Sequence, residues 1–182
     1  MWGNDFRPAY RDLRNIRLHF PKVPIMALTA TATPAVQNDI VKLLKFRDYK
    51  KFMKSYFRRN LCIKINKLPE FKNTKQAKYS EIKNTIFLSN LQEESGIIYC
   101  NRQKTCEEFS SYLNSFGITT MAYHAGMKKK IKDEVEAKWK SEEVKIIVAT
   151  IAFGMGIDKP NVRFVIHHNL PTNIESYYQE IG

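Results

Sequence analysis

The sequence lacks any apolar stretch that could cross a membrane. No run of about 18 uninterrupted apolar residues occurs in the 182 residues. The opening letters MWGNDFRPAY also lack the charged-then-apolar order of a signal peptide. We therefore expect a soluble chain that is neither secreted nor bound to a membrane.

Cysteine is scarce as well. Cys62, Cys100 and Cys106 are odd in number and widely spaced, and they form no C-x-x-C pair. Because none of them belongs to a cysteine-histidine ligand cluster, the spacing predicts neither a disulfide framework nor a zinc site. Free thiols of this kind are typical of a reducing compartment, and no metal site is expected.

Two elements of nucleotide hydrolysis are missing from the sequence. It contains no G-x-x-x-x-G-K-[ST] loop, whose backbone and lysine hold a triphosphate, and no Asp-Glu-x-His. The sequence therefore predicts no phosphate-binding loop of this kind.

Negative charge is sparse in the first part of the chain. Residues 1–80 carry 18 Lys+Arg against 5 Asp+Glu, a net +13, whereas residues 81–182 carry 12 against 13, a net −1. A basic excess of this kind is typical of proteins that bind a phosphate backbone. A lysine-rich, asparagine-rich composition can also arise from an AT-rich coding sequence, and charge alone leaves both explanations open.

Short apolar segments alternate with amphipathic ones, which predicts an α/β fold with a parallel, helix-covered sheet. After a basic stretch over 45–78 that marks a boundary or linker, the predicted strands are 96–100, 118–123, 144–150 and 162–167. The predicted helices there are 79–92, 103–116, 128–140 and one beginning near Thr172. Upstream, we predict a helix from Pro8 to before Pro21, a strand over 25–31 and a helix from Thr33-Pro34 to Leu44. Two further pieces, KFMKSYF and LCIKI, look like strands.

Candidate functional residues follow three of the predicted strands. In a parallel sheet, binding residues collect beyond the carboxyl ends of the strands. Asn101 and Arg102, His124 and Gly126, and the loop from Thr150 to Asp158 take these positions. The glycines of that loop, Gly154 and Gly156, would let the backbone approach a phosphate chain. An ordinary glycine-containing turn would have the same composition.

Six segments of the sequence resemble the RecQ family of superfamily 2 DNA helicases, and together they span nearly the whole chain. They are WGNDFRPAYRDL (2–13), MALTATATPAVQNDI (26–40), GIIYCNRQ (96–103), YHAGM (123–127), ATIAFGMGIDKPNVRFVIH (149–167) and NIESYYQEIG (173–182). The resemblance implies an ATP-dependent motor of two RecA-like lobes that moves 3′ to 5′ on one DNA strand. Residues 1–50 would then be the carboxyl-terminal part of the first lobe, and residues 51–182 most of the second, truncated in the sixth motif.

The resemblance also implies roles for particular residues. The residues that would contact DNA are Trp2, Phe6, Arg7, Asn101, Arg102, His124, Gly126, Thr150 and Gly154. Those that would couple ATP to movement are Thr29, Thr31, Gly156, Asp158 and Gln179, of which Asp158 and Gln179 would line the cleft. Read without the family, His124 is a structural histidine rather than a catalytic base.

The family's Arg-Ala-Gly-Arg run, whose arginine stabilises the transferring phosphate, does not occur in the sequence. We therefore expect a fragment of a helicase for DNA repair, recombination or replication that has no ATPase activity alone. The complete protein would use ATP and Mg²⁺, bind single-stranded and duplex DNA but no membrane, and reside in the nucleus of a eukaryote or the cytoplasm of a bacterium. The fragment would be monomeric, and its protein partners are unknown. The alternatives are a non-catalytic nucleic-acid-binding module or degenerate helicase paralogue, and an RNA-directed motor.

Overall fold

The computed structural model describes residues 12–29, 32–55, 57–68, 74–154 and 158–182. The chain divides into two compact units, Met1–Lys64 and Ile65–Gly182. Within the described residues, every helix is too short or too polar to span a bilayer. The assignment of residues 1–50 and 51–182 to two motor lobes stays a prediction.

The first unit contains short helices in its described part. A 3₁₀ turn, Leu13–Asn15, leads into helix α1, Ile16–His19, and helix α2 covers Pro34–Leu43. The predicted start of α2 is confirmed: the Thr33 hydroxyl accepts from the Val36 amide at 3.4 Å, and proline occupies the first turn, where a missing amide proton is tolerated.

The strand predicted over 25–31 is wrong for its described residues, since 24–29 form no ladder. The strand-like pieces at 51–57 and 61–65 are likewise irregular wherever they are described. An apolar run becomes a strand only when a neighbour satisfies its amides and carbonyls, and no described strand pairs with these segments. Met26 and Leu28 accordingly lie exposed.

The second unit alternates strands and helices as the sequence predicts. Its elements in chain order are α3 Lys75–Leu88, β1 Gly96–Tyr99, α4 Gln103–Asn114, β2 Thr120–Tyr123, α5 Lys129–Lys140, β3 Ile146–Ala149, β4 Phe164–His167 and α6 Ile174–Glu180. Helix α3 begins four residues before the predicted position, because the Thr74 hydroxyl caps it by accepting from the Ala77 amide at 3.2 Å.

The four described strands form one parallel sheet in the order β2-β3-β1-β4. Strands β1 and β3 are central and fully buried, as expected for a sheet covered on both faces. Tyr99, Ala149, Tyr123 and His167 lie side by side in the register, so all four strands end at the same edge.

Helices cover both faces of the sheet, and each face has its own core. On one face, α3 and α4 pack Tyr79, Ile86, Phe109 and Leu113 against alternate residues of the central strands. On the other face, Val135 and Trp139 of α5 pack against the intervening strand residues, with Phe153 beneath the loop after β3. The predicted α/β fold with helices on both faces is therefore confirmed.

Candidate functional site

The carboxyl ends of the strands bring several predicted residues to one edge of the second unit. The loops after β1, β2 and β3 carry Asn101 and Arg102, His124 and Gly126, and Thr150. Arg102 is exposed and its side chain does not cap α4, whereas His124 is buried. The structure therefore gathers these residues from distant parts of the sequence, as the parallel topology predicts.

The first four residues of the loop after β3, 150–153, are anchored to the sheet and its core. The Thr150 amide donates to the Tyr123 carbonyl at 3.1 Å, which extends the pairing of β3 with β2 by one residue. The Phe153 amide then donates to the Thr150 carbonyl at 3.0 Å and closes a turn. The Phe153 ring is 1% exposed and packs edge-on against Tyr123 and Trp139, with ring centroids at 4.7 and 5.2 Å. This packing fixes the backbone that leads to the glycines.

Gly154 has a backbone that only glycine adopts easily. Its φ is +128°, and an added Cβ would lie 2.7 Å from the Tyr99 hydroxyl oxygen. The predicted permissive position is thus confirmed, and the fold adds a reason for it, because the Tyr99 side chain occupies the space that a Cβ would need. The second glycine, Gly156, lies outside the described residues.

Tyr99 connects the central strand β1 to this loop. Its hydroxyl donates to the Phe153 carbonyl at 3.0 Å in a buried hydrogen bond. Burial, together with the negative charge of Glu180, raises the pKa of Tyr99 to about 12. The hydroxyl therefore keeps its proton and remains a donor throughout the physiological pH range.

Helix α6 is attached to the same region through His167. The His167 Nε2 lies 2.7 Å from Glu180 Oε2, with both side chains largely buried. Because a carboxylate oxygen only accepts, this contact places a proton on Nε2. The His167 ring stacks on Tyr99 at 5.6 Å and contacts Tyr177 at 5.3 Å. We call Tyr99, His167 and Glu180 the relay cluster.

Each member of the relay cluster lies in one of the six segments that resemble the family, but nothing in the sequence indicates that the three are in contact. Its members come from β1, β4 and α6, and only the sheet brings them together. The one local signal is in α6, where successive residues point about 100° apart. Gln179 is exposed while Glu180 is half-buried, so neighbouring residues of one helix face different surroundings.

His124 and Gly126 join the loop after β2 to the start of α4. The buried His124 places its Nε2 3.2 Å from Glu107 Oε1, while its Nδ1 has no hydrogen-bond partner among the described residues. An added Cβ on Gly126 would lie 2.4 Å from Gln103 Oε1. Gly126 thus permits the close approach of the two loops, and His124 is held as a structural side chain.

The remaining predicted site residues are only partly described. Asp158 and Gln179 are exposed in the second unit, and Thr29 is exposed in the first. Trp2, Phe6, Arg7 and Thr31 lie outside the described residues. Across the described ranges, no three His, Cys, Asp or Glu side chains group as metal ligands would.

Known proteins resemble this chain in sequence. Residues 77–182 match the family described as "Helicase conserved C-terminal domain". The whole chain is 44% identical to ATP-dependent DNA helicase Q-like 2 of Arabidopsis thaliana and 43% identical to ATP-dependent DNA helicase RecQ of Haemophilus influenzae. It spans 25% and 28% of those two relatives, so about a quarter of their length. ATP-dependent helicase SGS1 of Saccharomyces cerevisiae is 40% identical over the whole chain, which covers 12% of that protein.

Solved structures share the fold. The chain matches S. cerevisiae Dbp5 bound to RNA and ADP BeF3 with a TM-score of 0.72 at 17% identity, over 99% of this chain and 46% of that one. It matches a DEAD box protein from Methanococcus jannaschii with a TM-score of 0.52 at 25% identity, over 59% of this chain and 29% of that one. The Dbp5 match, at this identity, establishes the architecture and nothing about the ligand.

Proposed function

The chain belongs to the family of helicase conserved C-terminal domains, and from this membership we propose that its protein is an ATP-dependent DNA helicase of the RecQ type. The observation that carries the proposal is the likeness of the whole chain, at 40–44% identity, to relatives named as ATP-dependent helicases. The complete protein would move 3′ to 5′ and act in DNA repair, recombination or replication. Its location would be the nucleus in a eukaryote.

DNA would lie against the carboxyl edge of the sheet in this proposal. The exposed Arg102 supplies a guanidinium that can pair with a phosphate, and Thr150 supplies a hydroxyl. Gly126 and Gly154 lie at the same edge, where Gln103 and Tyr99 occupy the space that a Cβ would need, so the two glycines fix the path of the backbone that would face the strand. Asn101, His124, Trp2, Phe6 and Arg7 complete the proposed DNA set.

ATP would act on the relay cluster from the side of α6, which carries Glu180 and Gln179. Gln179 is exposed on α6 and precedes Glu180, which contacts His167. The His167 ring stacks on Tyr99, and the Tyr99 hydroxyl donates to the Phe153 carbonyl in the loop that carries Thr150 and Gly154. A displacement of α6 would therefore be transmitted to the backbone that faces DNA. Such coupling needs a physical element with two arrangements, and α6 with its loop is the element we propose. Thr29, Thr31, Gly156 and Asp158 would belong to the same ATP-coupled set.

The residues of this chain do not by themselves fit a complete site for ATP and Mg²⁺. The sequence has neither the Gly-Lys-Ser/Thr loop nor Asp-Glu-x-His, and the described residues hold no cluster of metal ligands. The chain would contribute Gln179 and Asp158 at the edge of the cleft. These groups alone support no hydrolytic step, and we expect no phosphate release from the 182 residues by themselves.

The test is to purify the whole native polypeptide and measure phosphate release and duplex separation. We expect single-stranded DNA to stimulate phosphate release, and duplexes with a 3′ tail to be separated in preference to those with a 5′ tail. A Gln179→Ala variant should lower DNA-stimulated phosphate release at least tenfold while DNA affinity stays within twofold. The exposed Gln76 of α3 provides a matched control, because Gln76→Ala should leave both quantities unchanged.

Two results would contradict the proposal. DNA binding without any phosphate release would support a non-catalytic nucleic-acid-binding module instead. Separation of RNA duplexes in preference to DNA duplexes would support an RNA-directed motor.

A further inference from the structure

Residues 45–59, which we call the basic-aromatic segment, combine positive charge with exposed rings. Their sequence, KFRDYKKFMKSYFRR, contains seven Lys or Arg and one Asp. All seven basic side chains are exposed. Phe52 is 89% exposed and Phe57 is 76% exposed, and Tyr49 is half-exposed. Phe52 and Phe57 are the two most exposed phenylalanine rings in the described part of the chain, and here they alternate with basic side chains.

The backbone of the segment is not occupied by regular structure. Residues 45–55 and 57–59 form neither helix nor strand. Lys45, two residues after α2, has a φ of +52°, which turns the chain out of the helical path. The Phe46 amide then donates to the Val41 carbonyl of α2 at 3.0 Å. From there the chain presents its side chains to solvent, with Arg47, Asp48, Tyr49 and Lys50 lining a shallow recess.

Three lysine charges of the segment are not neutralised within the described part of the chain. Lys50, Lys51 and Lys54 make no ion pair there, whereas lysines of the second unit such as Lys75 and Lys138 pair with glutamates. Like charges packed so closely along one stretch repel each other, so the arrangement gains most from an anionic partner.

We propose that the basic-aromatic segment is an additional binding site for single-stranded DNA, in which Lys and Arg contact phosphates while Tyr49, Phe52 and Phe57 stack on bases. Basic residues alternating with exposed rings are how proteins hold single strands without reading their sequence. An acidic peptide would satisfy the charges but would leave the rings without partners. The proposal rests on the proposed function for the identity of the nucleic acid, and its residues lie outside the six segments named in the sequence analysis.

The first arm of the test separates local charge from net charge in the 182-residue chain. The triple variant Lys50→Gln, Lys51→Gln, Lys54→Gln is compared with Lys64→Gln, Lys67→Gln, Lys140→Gln, which removes three exposed charges outside the segment. Binding to a fluorescent 20-mer of dT is followed by anisotropy across a salt series. We expect the first variant to bind at least tenfold more weakly and the second to bind within twofold of the parent.

The salt series tests the same proposal a second way. Each phosphate contact on a single strand contributes about 0.7 to the slope of log affinity against log salt. Removing three contacts should therefore lower the slope by about 2 in the first variant and leave it unchanged in the second. Equal losses in the two variants, or no binding by the parent chain, would overturn the proposal.

The second arm tests the rings. Phe52→Ala with Phe57→Ala is compared with Leu88→Ala with Leu170→Ala, which removes exposed apolar side chains elsewhere. An abasic 20-mer carries the same phosphates without bases. Because one base stacked on an aromatic ring changes affinity at least about fivefold, the parent should prefer dT to the abasic strand. That preference should fall at least about fivefold in the phenylalanine variant and stay unchanged in the leucine control.

Competition distinguishes the partners. Polyglutamate that displaces dT as well as unlabelled dT does would overturn the proposal in favour of an acidic peptide. If the lysine variant binds normally while the whole protein separates duplexes, only this inference fails. If the segment binds as expected while the whole protein hydrolyses no ATP, only the proposed function fails.

Discussion

The basic-aromatic segment and the loop after β3 are both proposed to contact DNA, yet they are built in opposite ways. In the segment, Phe52 and Phe57 are exposed and no described strand supports the backbone. In the loop, Phe153 is buried and the backbone is held by Tyr123 and Tyr99. The same residue type therefore serves as a proposed ligand contact in one region and as an anchor in the other.

The two regions differ in whether packing and hydrogen bonds within the fold fix their backbone. The loop has one backbone path because packing and hydrogen bonds fix it, so its changes should register as changes in stability. The segment contributes charge and surface without packing, so its changes should register only when a ligand is present. Three substitutions or conditions test this contrast.

The largest expected effect is on the anchor of the loop. Phe153→Ala should lower the free energy of unfolding by about 3–5 kcal/mol, because it removes a buried ring between Tyr123 and Trp139 and leaves a cavity. The same deletion at Phe52 should change it by less than about 0.5 kcal/mol. Urea unfolding of both variants measures the two values, and similar losses would remove the contrast between the regions.

The second effect depends on pH. The pKa of Tyr99 is near 10 in an unfolded chain and rises to about 12 in the fold. Between these values the unfolded chain has released a proton that the fold retains, so rising pH favours unfolding. The contribution is intact below pH 10 and is lost by pH 12, and it amounts to about 2–3 kcal/mol.

Tyr79 and Tyr123 have pKa values raised to about 12 as well, so the parent should lose stability steeply in this range. Urea unfolding at about pH 9.5 and about pH 11.5, on either side of the unfolded-state pKa, should show a smaller fall in Tyr99→Phe than in the parent. An identical fall would mean that Tyr99 is ionised equally in both states.

The smallest effect concerns Gly154. Gly154→Ala should cost about 1–3 kcal/mol from its positive φ and from the contact with the Tyr99 hydroxyl. Gly117→Ala is the matched control, because Gly117 also has a positive φ, of +77°, and nothing lies within 4 Å of the position of an added Cβ. Adding Tyr99→Phe should reduce the cost of Gly154→Ala to that of the control. Strict additivity in this double-mutant cycle would show that the hydroxyl does not restrict residue 154.

Local signals in the sequence predict much of the fold. Thr33 and Pro34 start α2 because a cap and a fixed φ act within one turn, and the alternating apolar runs predict each described strand of the second unit. The strand prediction at 25–31 failed because its apolar residues resemble those of β3, whereas strand formation depends on a neighbour that a single segment does not reveal.

The sequence predicts which residues lie at the candidate site, but it does not predict which of their side chains contact each other. The parallel topology inferred from the alternating pattern is enough to place Arg102, Gly126 and Thr150 at one edge of the sheet. The bond between His167 and Glu180 is not predictable, because it joins residues 13 positions apart in two elements. Gly154 shows both sides: its composition indicates a permissive backbone, but the Tyr99 hydroxyl that excludes a Cβ comes from a strand more than 50 residues earlier.

The strand order also governs how the second unit assembles during synthesis. Strand β2 pairs only with β3, and β1 pairs with β3 and β4, so no strand of the described sheet has a partner until β3 has been made. Gly96 pairs with Ile146, so this pair cannot form until the ribosome has added 50 more residues. At about 5–20 residues per second, β1 therefore spends roughly 3–10 s on the ribosome without a neighbour. Nascent chains arrested before Ile146 leaves the exit tunnel should be digested by protease, and chains released beyond His167 should resist it.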